Sequence, residues 1–305
     1  MDREDGAGEF AGARVAIVGL GLMGGSLAMA LRGHCRELIG IDPDPETLAL
    51  ARQKRVVDRL SDRPEQLLAE AQVIVLAAPV RAILKILYQL PAWHPGDPVV
   101  LDLGSTKVEI VRAMQALPAR FDPLGGHPMC GKERTSLKAA DAQLFIGQPF
   151  VFTPMERTSA RARQLAGQLA AAVGARPVWI DAGAHDRWVA ATSHLPYLLA
   201  SALSANTPLE YAPLVGPGFI STSRVASTSP EVMLDVLITN RANLLEALGR
   251  FRTRMDDLER RLESGDWPEL LQALAEGAAS RAAILDAADR SVDSVVDSGA
   301  DREAA

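Results

Sequence analysis

The chain is 305 residues long, 48% hydrophobic and 23% charged, with a formal net charge of −6. That length allows one large domain or two of ordinary size, with a proper core. The acidic balance argues against nucleic-acid binding, no apolar run reaches the ~18 residues of a membrane span, and the polar start "MDREDGAGEF" is neither a signal nor a transit peptide. Cys35 and Cys130 stand in unrelated contexts and make neither a disulfide framework nor a zinc set, so a reducing cytoplasm and no metal site are expected.

Residues 1–11 lack periodicity and are expected to be disordered. Short β-branched runs follow at "RVAIV", "ELIGID", "AQVIVLAAP", "DPVVLDLGS", "FDPLGGH", "PFVFTP" and "RPVWID". Helix-like stretches such as "DPETLALARQ", "VRAILKILYQL" and "RARQLAGQLAAAVG" lie between most of them. Strands alternating with helices imply βαβ units and a doubly wound, mostly parallel sheet. From Asp181 the strand signal ends, and "AHDRWVAATSHLPYLLASALSA" and "PEVMLDVLITNRANLLEALGRFRTRMDDLERRLESG" are long and helical in period. An α/β domain over 1–182 and an all-helical domain over 183–305 are expected. The small, acidic residues from about 290 to 305 read as a frayed tail.

Gly19-Leu-Gly21-Leu22-Met23-Gly24 fits G-x-G-x-x-G between a strand and a helix, with Asp42 at the end of the next strand. Gly19 permits the tight turn, Gly21 lets a pyrophosphate approach the backbone, and Gly24 lets the helix pack close. The helix N-terminus offers free N–H groups to the phosphates. Asp42 can accept from both ribose hydroxyls and would repel a 2′-phosphate, so NAD is expected over NADP. The alternative for Asp42 is a cap on the helix "PDPETLALA". "LAAPV", with Ala78, Pro79 and Val80, turns at a strand end beside the dinucleotide; it reads equally as a wall for the nicotinamide or as plain loop.

Two later strand ends carry candidate chemistry. "LDLGSTK" places Ser105 before the helix "VEIVRAMQAL", where Ser or Thr could serve as a helix cap instead. "PLGGHPMCGKE" holds His127 in a pinched loop between two glycines and a proline, and imidazole suits proton transfer near neutral pH.

"VAIVGLGLMGGSLAMAL", "DLGSTK", "GGHPMCGKE", "SHLPYLLASAL" and "GPGFISTSRVASTSP" occur in this order. Together they resemble the prephenate/arogenate dehydrogenase family of tyrosine biosynthesis, over about residues 13–285. The resemblance implies a Rossmann domain, a helical dimerisation domain making a homodimer, an active site in the cleft between them, and NAD as cofactor. It implies oxidative decarboxylation of a cyclohexadienol, with His127 as the base. By the same resemblance Ser105 hydrogen-bonds near the substrate hydroxyl and the histidine, and Arg224 holds a substrate carboxylate. His194 matches a second histidine near the cleft, with a structurally bonded histidine as the alternative.

Three departures from the family pattern stand out: Ile220 and Ser221 replace a charged pair, Met233 stands where Trp is frequent, and Lys132 enters the "HPMCGKE" loop. Prephenate is the expected substrate and arogenate the alternative, with Glu133 a candidate acceptor for an ammonium. A non-catalytic NAD-binding sensor would keep the glycine loop but need no base. A hydroxyacid dehydrogenase would need a lysine in the helical half, and none occurs after Lys138. No appended regulatory domain or fused mutase is expected.

Overall fold

The structure, a computed structural model, describes residues 9–132, 134 and 136–300. An eight-stranded sheet has the order β3-β2-β1-β4-β5-β6-β7-β8. Its strands are β1 (Arg14–Val18), β2 (Glu37–Ile41), β3 (Arg59–Ser61), β4 (Val73–Leu76), β5 (Val99–Asp102), β6 (Asp122–Pro128), β7 (Pro149–Thr153) and β8 (Arg176–Trp179). All neighbouring pairs are parallel except β6 and β7. The helices among them are α1 (Leu22–Ala30), α2 (Pro45–Lys54), α3 (Pro64–Leu67), α4 (Val80–Trp93), α5 (Val108–Gln115) and α6 (Ala160–Ala172). Then follow α7 (Ala182–Val189), α8 (Leu195–Ala205), α9 (Pro217–Ser223), α10 (Pro230–Thr239), α11 (Arg241–Ser264) and α12 (Trp267–Ala300).

The alternating pattern of the first half thus becomes the expected doubly wound sheet. Both faces are covered, which is why its central strands read as unbroken apolar runs. Val15 and Ile17 of β1 point into one core with Leu27 of α1 and Leu165 of α6. Ala16 and Val18 point into the other, with Ile83 of α4 and Ile110 of α5. Strand β3 escaped the sequence reading because "RLS" has no β-branched residue; it is held at the sheet edge by pairing with β2.

The chain forms two compact units, residues 1–244 and 245–305. The first includes α7 to α10 as well as the sheet, so compactness does not break near 182, where the strand signal stops. The reason lies in side chains that tie those helices back to the strand ends. Thr239 of α10 meets Thr106 (2.8 Å), and Asp235 accepts from the main-chain N–H of Arg81 (3.3 Å). The second unit holds most of α11 and all of α12. Arg254 pairs with Glu276 (2.9 Å) and Arg261 with Glu269 (2.7 Å) between its helices. No helix among the described residues is long and apolar enough to cross a membrane.

Both chain ends differ from expectation. Residues 1–8 lie outside the described ones, but Glu9–Gly12 form a 3-10 turn rather than disordered chain. Phe10 is buried in the core and its N–H donates to Gln168 (3.1 Å), so one aromatic anchors a segment that lacks periodicity. Toward the C-terminus the backbone of α12 continues through Ala300 where fraying from about 290 was expected. No proline interrupts that stretch. Residues 301–305 lie outside the described chain.

The helical half breaks in two places that periodicity does not show. "HDRWVAATSHLPYLL" passes through a π-helical turn, Ala190–His194, between α7 and α8. Pro196 follows at the start of α8; a proline inside a continuous helix would lack its N–H and crowd the preceding turn. The long "PEVML…ERRLESG" stretch divides into α10 and α11 at Asn240, whose backbone leaves the helical region (φ −121°, ψ 26°).

Candidate active site

Four parallel strands, β1, β4, β5 and β6, present their C-terminal ends on one edge of the sheet. In sheets of this kind ligands bind at that edge. The turn after β1 carries the glycine motif. Gly19 has φ +99°, and a Cβ there would stand 2.5 Å from the Ala77 carbonyl oxygen. The turn through Ala77, Ala78 and Pro79 to Val80 therefore lies against the glycine loop. A Cβ at Gly24 would overlap the Gly19 carbonyl. Gly21 is the N-cap of α1 in extended conformation, with no side chain capping the helix. The first-turn N–H groups are left for a ligand, so the cradle fits a pyrophosphate. Leu22 is buried beneath this turn and Met23 packs half-buried on the core.

Asp42 closes the cradle. Its Oδ2 accepts from the Leu20 N–H (2.7 Å) and its Oδ1 from the Asp44 N–H (2.9 Å). It does not cap α2: Asp44 does, accepting from Glu46 and Thr47. The carboxylate at the end of β2 is instead fixed to the glycine loop itself.

After β5 the chain buries an ion pair. Lys107 is fully buried, and its Nζ donates to Asp102 and to the Gly126 carbonyl (2.6 Å). Asp102 also accepts from Gly104 (2.8 Å) and Gly126 (3.0 Å). Both oxygens of this carboxylate thus accept from donors, as a buried charge requires. The pair locks the "LDLGSTK" turn against β6. Desolvation pulls the Lys107 pKa down, partly opposed by Asp102.

His127 is the second-last residue of β6, at the strand end where the run "FDPLGGH" places it, and the chain pairs there with Val151 of β7. Its Nδ1 lies 2.9 Å from Nε2 of His185, the two rings edge-on. His185 Nδ1 in turn lies 2.8 Å from Oδ1 of Asp186. Both belong to α7 and are buried. Asp186 reaches back to the start of α5, accepting from Lys107 N–H (2.7 Å) and Val108 N–H (2.9 Å). Thus Asp186, rather than Ser105 or Thr106, satisfies the N-terminal donors of α5. Asn240 completes the cluster: its Nδ2 donates to the Asp186 carbonyl (2.7 Å) and lies 3.2 Å from Nδ1 of His194.

The electrostatics favour neutral imidazoles. His127 has its pKa pushed well below the ordinary value, first by desolvation, then by the electrostatic influence of the neighbouring His185, Lys107 and His194. His194, only 1% exposed, is lowered to about 4, again mainly by desolvation. Burial pushes the thiols of Cys35 and Cys130 up to about 11, away from thiolate chemistry.

The other sequence candidates divide. Ser105 is half-buried on the bend before α5, and the hydrogen bond of His127 among the described residues goes to His185 rather than to Ser105. Arg224 is exposed and opens the 3-10 turn Arg224–Ser227, which packs against α8, the helix beginning beside His194. Glu133 lies outside the described residues. Lys132 pairs with Asp141 (3.0 Å), whose N–H donates to Ser26 of α1, so its charge is matched locally. Sequence reasoning missed His185, Asp186, Asn240 and the Asp102–Lys107 pair. One signal was present: Asp102 is a charged residue inside the apolar run "VVLDLG", which demands a partner.

Cradle, buried ion pair and imidazole cluster together define a nucleotide-binding α/β protein with a histidine site on the ligand edge of its sheet. Family models agree: "Prephenate dehydrogenase, nucleotide-binding domain" matches residues 27–179, and "Prephenate dehydrogenase, dimerization domain" matches residues 181–276. The chain belongs to the prephenate dehydrogenase family. It is 30% identical to the prephenate dehydrogenase of Bacillus subtilis (strain 168) over 85% of this chain and 72% of that one. Among solved structures it resembles prephenate dehydrogenase from A. aeolicus in complex with hydroxyphenyl propionate and NAD+. The TM-score is 0.83 at 26% identity, covering 91% of this chain and 100% of that one. It also resembles Synechocystis arogenate dehydrogenase, with TM-score 0.76 at 30% identity, covering 89% and 99%.

Proposed function

We propose that this protein is an NAD-dependent prephenate dehydrogenase, oxidising and decarboxylating prephenate to 4-hydroxyphenylpyruvate in tyrosine biosynthesis in the cytoplasm. The observation that carries the reading is His127. An imidazole kept neutral near pH 7 stands at the tip of β6, on the same sheet edge as the glycine cradle. NAD, when bound, supplies the hydride acceptor. Gly19, Gly21 and Gly24 with the N–H groups of α1 would hold its pyrophosphate, and Asp42 its ribose hydroxyls. The "AAPV" turn, Ala78 to Val80, would wall the nicotinamide side.

In the reaction, the ring carbon bearing the hydroxyl loses hydride as the carbonyl forms. His127 takes the hydroxyl proton through Nε2, the nitrogen not engaged by His185. Carbon dioxide then leaves as the ring aromatises. General-base help of this kind is typically worth ~10²–10⁴ in rate. Arg224 is assigned the substrate carboxylate, since a guanidinium grips one with two parallel hydrogen bonds. Ser105 is assigned the substrate hydroxyl, which needs no direct bond to His127. His194 lines the site from the π-helical turn.

The test is a steady-state assay of NAD and NADP reduction with prephenate and arogenate in all four pairings. The expected result is fastest turnover of prephenate with NAD. Faster turnover of arogenate at matched concentration moves the assignment to arogenate dehydrogenase, the activity named for the Synechocystis relative. No turnover with either compound overturns the reading in favour of an NAD-binding sensor.

A homodimer through the helical region, residues 183–305, belongs to the same proposal. Exposed Leu209 and Leu214 in the first unit, and Trp267, Leu271 and Leu274 in the second, are apolar surface that association would cover. Light scattering at micromolar concentration is expected to give twice the chain mass; a monomer there overturns it.

A further inference from the structure

We propose that His185 and Asp186 are positioning residues that hold His127 in the tautomer with a free Nε2, so that its proton-accepting nitrogen is chosen by the fold rather than by the substrate. The proposal rests on the reading of His127 as the base. Asp186 is the fixed end of the chain. Its Oδ1 accepts the Lys107 N–H and its Oδ2 the Val108 N–H, both at the positive N-terminus of α5. Held there as a carboxylate, it can only accept, so the nearby Nδ1 of His185 (2.8 Å) must donate.

A neutral His185 that donates from Nδ1 has its lone pair on Nε2. That atom faces Nδ1 of His127 at 2.9 Å, so Nδ1 of His127 must in turn donate. The lone pair of His127 is then on Nε2. The opposite tautomer would set two lone pairs or two N–H groups against each other at one of the two steps. The order carboxylate, imidazole, imidazole extends by one ring the carboxylate–imidazole logic of hydrolase triads, where the carboxylate orients the base and steadies its cationic form.

The same carboxylate has a second consequence. By binding the N–H groups of Lys107 and Val108 it also sets the turn that carries Ser105, and the Thr106–Thr239 contact holds that turn from the other side. One buried residue of α7 therefore aligns both the proposed base and the serine loop. Among the described residues, the other charged or titratable groups acting on His127 are Lys107 with its partner Asp102, from β5 and the turn after it, and His194 from the π-helical turn. None of them is hydrogen-bonded to the His127 ring, so none substitutes for His185 in choosing the tautomer.

The experiment is nitrogen-15 NMR of the histidine rings in the full-length protein without substrate, joined to kinetics of two variants. In the wild type, His127 is expected to carry its proton on Nδ1 with Nε2 free. His185→Leu removes the acceptor; the single tautomer signature is expected to be lost and kcat to fall roughly 10- to 100-fold, with KM within about twofold. His185→Gln keeps an amide oxygen that accepts from Nδ1–H, and is expected to restore the signature and most of kcat. A proton on Nε2 in the wild-type protein overturns the proposal. So does a His185→Leu variant with unchanged kcat, or equal losses in both variants with the wild-type tautomer intact. Should His185→Leu not fold, the wild-type spectrum and His185→Gln still decide. The NMR arm needs no turnover, so it separates a failure of the relay from a failure of the catalytic reading.

Discussion

Gly19, Gly21 and Gly24 come from one short turn, whereas His127, His185, His194 and Asn240 come from β6, α7, a π-helical turn and the break after α10. Both sets serve the same edge of one sheet. The cradle is backbone: its requirements are missing Cβ atoms and free N–H groups, which adjacent residues can meet. The histidine cluster is made of side chains whose partners lie far away in sequence: His127 and His185 are 58 residues apart, and Asp186 is 79 from the Lys107 N–H it accepts. A local motif tolerates change in the rest of the fold; a cluster of this kind depends on the packing of α7 against α5 and of α10 against α4. Breaking each set should therefore show different symptoms.

The largest effect is expected from the cluster. His127→Asn keeps a polar side chain in β6 but has no nitrogen that can take a proton. With NAD affinity unchanged, kcat is expected to fall by roughly 10²–10⁴, the usual contribution of a general base. The measurement is single-turnover oxidation of prephenate beside NAD titration by fluorescence. Equal oxidation by both proteins would remove His127 from the mechanism.

How much of this was legible follows the same division. The cradle, Asp42 and seven of the strands could be read, because each is a contiguous pattern with a local physical cause. The edge strand β3 could not, since "RLS" owes its extension to β2. His127 could be picked out and placed at a strand end, but neither its antiparallel pairing with β7 nor its contact with His185 could be read. Asp186 and His185 were hidden inside a helical run, where "HD" looks like an ordinary polar face. Only the approach of α7 to the start of α5 gives that pair its work. Asn240 likewise sits in an unbroken helical period, and its break is forced by tertiary bonds to the Asp186 carbonyl and His194.

A second way to probe the cluster is acid. His194 has a folded-state pKa of about 4, against an ordinary imidazole value of 6.5. Above about pH 6.5 it is neutral in both folded and unfolded chains, and the stability is fully present. As pH falls below that value the unfolded chain binds a proton that the folded one refuses, so stability drops until the folded pKa is reached. The full loss is on the order of 3 kcal/mol. His127, shifted in the same direction, adds to it. Urea midpoints at pH 7, 5.5 and 4.5 should fall more steeply for the wild type than for His194→Gln. Parallel slopes would mean that His194 is not buried neutral.

The smallest effect belongs to the cradle, and it is one of choice rather than of rate. Asp42 is tied by two main-chain N–H groups, from Leu20 and Asp44, so its carboxylate is fixed in place before any ribose arrives. Asp42→Asn removes the charge and turns one acceptor into a donor, so one of those two main-chain N–H groups loses its partner. The lost charge-assisted bonds to a ribose are worth roughly tenfold in kcat/KM for NAD. The 2′-phosphate of NADP meets no negative charge in the variant, so kcat/KM for NADP should rise a few-fold. The ratio of the two, measured on one preparation, cancels any loss of active protein. If the ratio is unchanged, Asp42 holds the glycine loop and does nothing for the cofactor. The cradle's selectivity would then come from somewhere other than the end of β2.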